Sequence, residues 1–356
     1  MRVLVTGATG FVGSAAVRAM LTRTEHALIC QVRTGSNLSR LQPVLEGPQA
    51  GRADVMVANL LSRADCAKLV VDADAIIHCA AGMGGGATNI YMNTVVATRN
   101  LLNAMGDGRR RRLVLVSSFA VYGTAELPRG ALVNEETPIE SHPERRDGYV
   151  LAKLHQEEIV REYAARLGFD LVVARPGVVY GPGGYDPLSG RIGLNLPGLF
   201  LSMGGDNLLP LSYIDNCADA LAVAATVPQA VGLTLNLHDD DLRTCREYLK
   251  RYRGEVRPLR RLVVPYPLLL VLSAANEWYH RWSRGQLPAV LTVYRTRSLY
   301  VGRRYDNGRL KSLGWRQSVS TQDALQRTFE YFRQRLRADP NERLAAELDP
   351  NFWTGV

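Results

Sequence analysis

Residues 5–13 read Val-Thr-Gly-Ala-Thr-Gly-Phe-Val-Gly, with glycine at Gly7, Gly10 and Gly13. They close a short apolar run, Arg2–Thr6, and open a stretch, Gly10–Arg23, with helical periodicity. A glycine triplet alone fits any strand-to-helix turn. Between a strand and a helix it has a sharper meaning. Gly7 permits a tight turn, Gly10 a close backbone approach to a pyrophosphate, and Gly13 close helix–strand packing. The helix N-terminus adds free N–H groups and a positive dipole end. Thr9, Phe11 and Val12 are counted with the glycines as cofactor-binding positions.

Outward from this turn the first half alternates apolar runs with helical patterns, the signature of βαβ units and a parallel sheet. Strands are expected at Arg2–Thr6, Ala27–Val32, Val55–Val57, Ala75–His78, Leu113–Ser117, Leu171–Ala174 and Leu233–Leu237. Helices are expected at Gly10–Arg23, Arg63–Val71, Asn93–Met105 and Tyr149–Leu167. The apolar runs are continuous, as in strands covered on both faces. This predicts an α/β fold with a doubly wound parallel sheet. Residues 1–176 are expected to bind the cofactor, with segments near 211–237 returning to that domain, and 177–356 to form a smaller, mainly substrate-binding C-terminal lobe. Within it, Gly177–Gly205 reads as an elaborated loop region. The apolar segment Leu262–Leu272, interrupted by Pro265 and Pro267, is too short for a membrane span and reads as a buried helix under a substrate pocket, with an interfacial membrane contact as the alternative.

The cofactor's identity turns on the end of the second strand, where a carboxylate would bind a ribose 2′-hydroxyl. The chain reads Cys30-Gln31-Val32-Arg33-Thr34-Gly35-Ser36 there, without an acid. Arg33 suits a 2′-phosphate, with Arg40 as a second cation, so NADP(H) is expected over NAD(H). Asn59 and Leu60 follow the third strand; Asn59 stands where similar dinucleotide-binding chains carry an aspartate facing the adenine amino group, and its carbonyl can still accept that bond.

Tyr149 and Lys153 lie four apart, on one face of the expected helix. A nearby ammonium lowers a tyrosine pKa, which is about 10 when unperturbed. Ser117-Ser118 close a strand, where open α/β sheets carry their sites, and Ser118 is placed to bond a substrate oxygen.

In order along the chain stand T-G-A-T-G-F-V-G, H-C-A-A (78–81), N-T-V-V-A-T-R-N-L-L from Asn93, V-S-S-F-A-V-Y-G, Y-V-L-A-K and R-P-G-V-V-Y-G-P. This set resembles the extended short-chain dehydrogenase/reductases, the NAD-dependent epimerase/dehydratase superfamily, which have a Rossmann-type fold. The resemblance implies Ser118, Tyr149 and Lys153 as catalytic residues, and Asn93 in a supporting role. It sets Ala80, Ala81, Pro176, Val178 and Val179 along the cofactor, and leaves His78 as a structural strand-end residue. It also implies a homodimer through the helices near 93–105 and 149–167.

Sugar-nucleotide members of that family carry an asparagine where this chain has Val178, and an arginine shortly before the position of Tyr213. Here Leu208-Leu209-Pro210-Leu211-Ser212 contains no base. A buried diphosphate needs paired donors, so the expected substrate is an apolar or amphipathic small molecule. The far end resembles 3β-hydroxysteroid dehydrogenase-like and dihydroflavonol reductase-like enzymes through Pro265-Tyr266-Pro267, Asn276-Glu277-Trp278, 287–292, Tyr305-Asp306-Asn307 and Leu313-Gly314-Trp315. The same residues suit a plain hydrophobic core. A sugar-nucleotide epimerase or dehydratase with tightly held NAD, and a non-enzymatic NADP(H)-sensing protein, stay open.

Composition bounds the rest. The 356 residues are 46% hydrophobic and 22% charged, with a formal charge of +9. The Arg109–Arg112 run lacks interleaved aromatics and any nucleic-acid motif, so it reads as a solvated surface without a nucleic-acid partner. Five scattered cysteines form no metal-ligand pattern and read as reduced thiols. Met1 leads directly into a strand, leaving no room for a signal peptide, and a cytoplasmic enzyme is expected.

Overall fold

The computed structural model describes residues 1–185, 188, 190–283 and 291–338. Residues 287–290 of the expected C-terminal signature, and 339–356 of the expected lobe, lie outside the described residues. Seven strands form one parallel sheet: β1 (Arg2–Thr6), β2 (Ala27–Val32), β3 (Ala53–Val57), β4 (Ala75–His78), β5 (Arg112–Val116), β7 (Asp170–Pro176) and β12 (Thr234–Leu237). Their spatial order is β12-β7-β5-β4-β1-β2-β3. The order reverses between β1 and β4, and the crevice beyond their carboxyl ends is where such sheets bind ligands.

Alternation within each strand sends side chains to two separate cores. Val3, Val5, Cys30, Ile77 and Val114 face one side, against α1 (Phe11–Arg23) and later α7 (Ile214–Thr226). Leu4, Ile29, Ile76, Leu113 and Leu115 face the other. That side is covered by α3 (Arg63–Val70), α5 (Ala97–Ala104) and α6 (Gly148–Leu167), while α2 (Gln42–Leu45) and α4 (Gly86–Tyr91) are short connectors. Covering on both faces explains why the strands read as unbroken apolar runs. The edge strand β3 departs from this, with Val57 61% exposed.

Three expectations are corrected. The Arg109–Arg112 run is a solvated face only in its first half: Arg109 and Arg110 are exposed, while Arg111 and Arg112 turn inward as a clamp. Arg111 is among the largest fully buried side chains, donating to Ala73 O and Val70 O (both 3.0 Å) and to the Asp107 carboxylate. Arg112 donates to Ala225 O and Val227 O, tying β5 to the end of α7. The run sits where unpaired carbonyls at element ends need donors, and guanidinium groups supply them.

The second correction is that Gly177–Gly205 is not all loop. It holds β8 (Val178–Tyr180), parallel to β11 (Leu211–Tyr213), and an antiparallel hairpin of β9 (Gly193–Leu196) and β10 (Leu199–Ser202). Strand β13 (Arg261–Val263) extends that hairpin, and β6 (Leu132–Val133) pairs with β14 (Arg304–Tyr305).

Third, the apolar segment near 262–272 enters α9 (Tyr266–Trp282), which is not a buried helix. Only Leu269 and Ser273 on it are buried. Its neighbours are α8 (Cys245–Glu255) and α10 (Val293–Tyr300), followed by α11 (Gly308–Ser312) and α12 (Thr321–Ala338). No helix among the described residues is long and apolar enough to cross a membrane.

Candidate active site

The glycine turn at the switch point is closely built. Gly7 has φ +64°, a left-handed conformation that a side chain strains. A Cβ there would meet the Ala80 backbone at 3.0 Å, and a Cβ at Gly13 would lie 2.1 Å from Gly7 O. Helix α1 can therefore approach β1 only with glycine at position 13. Its N-cap, Gly10, supplies no side-chain cap, so the first-turn N–H groups around Phe11 and Val12 are left to an outside acceptor. Thr9 stands half-buried beside them, and Ala80 and Ala81 line the neighbouring β4 exit half-buried. An uncapped helix N-terminus behind a cradle that a Cβ would fill fits a dinucleotide pyrophosphate.

Beyond β2, an open hollow is lined by Arg33, Thr34, Gly35, Ser36 and Asn59. Arg33 N donates to Ser36 Oγ (3.2 Å), which shapes the loop and leaves the guanidinium exposed. Asn59 Oδ1 accepts from Leu61 N (3.0 Å), so one of its lone pairs is already used, and Leu60 behind it is buried. Arg40 is not among the residues that line this hollow. It lies over the Phe11 ring and donates to Gly183 O (2.6 Å).

At the carboxyl end of β5, Ser118 starts a 3₁₀ turn and accepts from Ala120 N (3.1 Å). Tyr149 stands in the first turn of α6, whose N-cap Asp147 accepts from Tyr149 N and Val150 N. Ser118 faces the Tyr149 hydroxyl closely enough to favour its ionised form. Burial outweighs that, and the Asp147 carboxylate adds to it, so the tyrosine is pushed up to about 12. Without the positive charge of an oxidised nicotinamide, the lysine alone does not bring the tyrosine below its ordinary value. The Lys153 ammonium lies 5.9 Å from the tyrosine ring centre and is engaged elsewhere.

Lys153 is buried and donates to Val116 O and Gln156 Oε1, both at 2.9 Å. Desolvation pulls it down to about 8. Gln156 Nε2 donates to Thr98 Oγ1 (2.8 Å), whose hydroxyl proton goes to Thr94 O. Thr98 must then accept from His78 Nε2 (2.8 Å), which fixes the neutral tautomer. His78 Nδ1 is left as the acceptor for Thr6 Oγ1 (2.8 Å). Thr6 in turn accepts from Ala80 N (3.3 Å). A polar chain thus runs from the glycine turn to Lys153. Burial, helped by the Lys153 charge, holds His78 down to about 3, so it is uncharged at neutral pH.

The other expected residues lie nearby in sequence or sheet order, with differing engagements. Asn93 sits in a π-helical turn, Met92–Val96, and donates to Asn89 O and Oδ1. Pro176 ends β7, and Val178 and Val179 are half-buried in β8. A Cβ at Gly177 would lie 2.1 Å from Pro210 O, which locks that crossing.

Sequence reading missed the supports. Arg175 makes a buried bidentate pair with Glu157 (2.9 and 2.7 Å) and stacks over Tyr122. Glu140, wholly buried, pairs with Arg146 (2.8 Å) and with the Tyr294 hydroxyl. Arg295 approaches Asp147 at 3.8 Å. Helix α10, late in the chain, therefore buttresses the entry to α6. Only the polarity of these residues was visible beforehand; Tyr294 is distant in sequence from Glu140, and Arg295 from Asp147. Among the described residues no cluster of His, Cys, Asp or Glu could hold a metal.

Residues 3–237 match the NAD dependent epimerase/dehydratase family. A dTDP-4-dehydro-6-deoxy-D-allose reductase of Streptomyces bikiniensis is 30% identical over 53% of this chain, which spans 60% of that relative's length. A 3β-hydroxysteroid-dehydrogenase/decarboxylase of Arabidopsis thaliana is 25% identical over 81% of this chain and 53% of its own. Among solved structures, a dTDP-glucose 4,6-dehydratase of Streptomyces venezuelae with NAD bound superposes with a TM-score of 0.69 at 22% identity, covering 95% of this chain and 98% of its own.

Proposed function

The chain belongs to the NAD dependent epimerase/dehydratase family, and we propose that it is an NADP(H)-dependent oxidoreductase interconverting a carbonyl and a secondary alcohol on an apolar or amphipathic small molecule. The observation that carries this reading is the convergence of Ser118, Tyr149 and Lys153 where β5 and α6 meet. A bound nicotinamide supplies or accepts the hydride. In the reducing direction Tyr149, kept protonated by burial, gives its proton to the nascent alkoxide. Ser118 orients the carbonyl oxygen, and Lys153 offers positive charge as the phenolate forms.

Arg33, exposed in a hollow without a carboxylate, supports NADP(H). Val178, with the apolar 208–211 stretch, supports a substrate lacking a diphosphate. In this reading residues 1–176 with returning segments near 211–237 bind the cofactor, the remainder binds substrate, and the enzyme is a cytoplasmic homodimer.

Titration of purified protein with NADPH and NADH tests the proposal. Tighter NADPH binding that weakens in Arg33→Ala, with turnover of apolar ketones abolished and NADPH binding kept in Tyr149→Phe, is the expected result. Near-normal turnover in Tyr149→Phe would sink it. The likeness to the Streptomyces reductase favours a second reading, a nucleotide-sugar enzyme. Co-purifying NAD and turnover of a dTDP- or UDP-sugar would put that reading first.

A further inference from the structure

Helix α9 carries its apolar residues on the outside. Leu268, Val271, Leu272, Trp278, Tyr279 and Trp282 are exposed by 49, 64, 46, 62, 39 and 68%. Their spacing, with Ala275 between them, follows i, i+3, i+4 and i+7, so they form one stripe along the helix. The inward face is the more polar one, with Ser273 bonded to Leu269 O and Thr296, and Glu277 accepting from Val293 N. Just before the helix, Leu262 and Val263 on β13 are exposed as well, at 54 and 51%, on opposite faces of the strand. Scattered apolar residues on a surface mean little, but a continuous stripe of this kind marks a contact.

Charge selects the occupant. Exposed Arg260 and Arg261 precede the stripe, exposed Arg281 closes it, and the only carboxylate between them, Glu277, is turned to the Val293 amide. Two copies packed stripe to stripe would bring these arginines together in either orientation. An anionic lipid surface instead complements them. Trp278 and Trp282 stack at 6.4 Å with Tyr279 beside them, the residue types that favour the headgroup boundary. We propose that α9 and β13 form a peripheral docking face for anionic phospholipid membranes, with the helix lying in the interface. The chain's +9 charge adds long-range attraction.

The test is co-sedimentation of the full chain with phosphatidylcholine vesicles, with and without roughly a third phosphatidylglycerol. Expected are binding to the anionic vesicles and weakening at raised salt. Binding should fall by about tenfold in a Trp278→Ala/Trp282→Ala double variant. It should fall by about fivefold for each arginine removed in Arg260→Ala and Arg261→Ala. All four sites are exposed, so melting temperatures serve as the folding control. No sedimentation with either vesicle, or binding that the variants leave intact, would overturn the proposal. So would a concentration-dependent dimer lost in the tryptophan variant, which would make a second copy the occupant.

Discussion

Helices α6 and α9 are of similar length and face opposite ways in chemistry. Helix α6 turns Lys153, Gln156 and Glu157 inward with Val150, Ala152, Ile159 and Val160. Helix α9 turns Leu268, Leu272 and both its tryptophans outward and hides only Leu269 and a serine. The first tolerates buried polar groups because each has a partner: Val116 O and Gln156 for Lys153, Arg175 for Glu157, Thr98 for Gln156. A buried charge without such partners costs several kcal/mol. Burial in this protein thus follows available partners rather than hydrophobicity alone, and both inversions of the ordinary pattern fall where binding is proposed.

This contrast can be broken from either side. The largest effect is expected for Lys153→Met, which removes the ammonium and should cut turnover by about 10²–10⁴-fold. In the unaltered protein kcat/KM should decline as pH rises through about 8, where Lys153 loses its proton. A profile flat to pH 10 would detach the lysine from catalysis.

Arg175→Ala leaves the buried Glu157 with the half-exposed Arg161, at 3.5 Å, in place of its bidentate partner, and should cost about 3 kcal/mol of stability in urea unfolding. A loss below 1 kcal/mol would show that water reaches the pair.

His78 has a smaller influence, of definite sign. Its folded pKa, about 3, lies below the unfolded value of about 6.5, so the unfolded chain alone takes up this proton as pH falls below 6.5. Stability should therefore drop between pH 6.5 and 5 by up to about 1.4 kcal/mol per unit, and His78→Asn should flatten that slope. The smallest effect belongs to α9: Val271→Ala on the outer stripe should change stability by no more than about 0.5 kcal/mol. A larger loss would mean the stripe is packed against the protein itself.

What could be read beforehand follows from the range of each signal. The glycine turn, Ser118 and the Tyr149–Lys153 pair are local patterns, and the structure places them at adjoining strand and helix ends. The chain from Thr6 through His78, Thr98 and Gln156 draws on four distant segments, so no spacing announces it. Arg111 and Arg112 looked solvated like their exposed neighbours Arg109 and Arg110, because charge is a poor guide where carbonyls at helix and strand ends need donors. The stripe on α9 was visible as an apolar segment, but periodicity states that a face exists without saying which way it points.

The position of Gln156 in that chain has a consequence for proton traffic. Hydroxyls and imidazoles pass protons along a row by swapping donor and acceptor roles. A primary amide does not, because its nitrogen donates and its oxygen accepts without exchange. Gln156 therefore carries orientation from His78 and Thr98 to Lys153 while insulating them from each other. A proton that Lys153 gives up therefore cannot return to it along the row from His78 and Thr98.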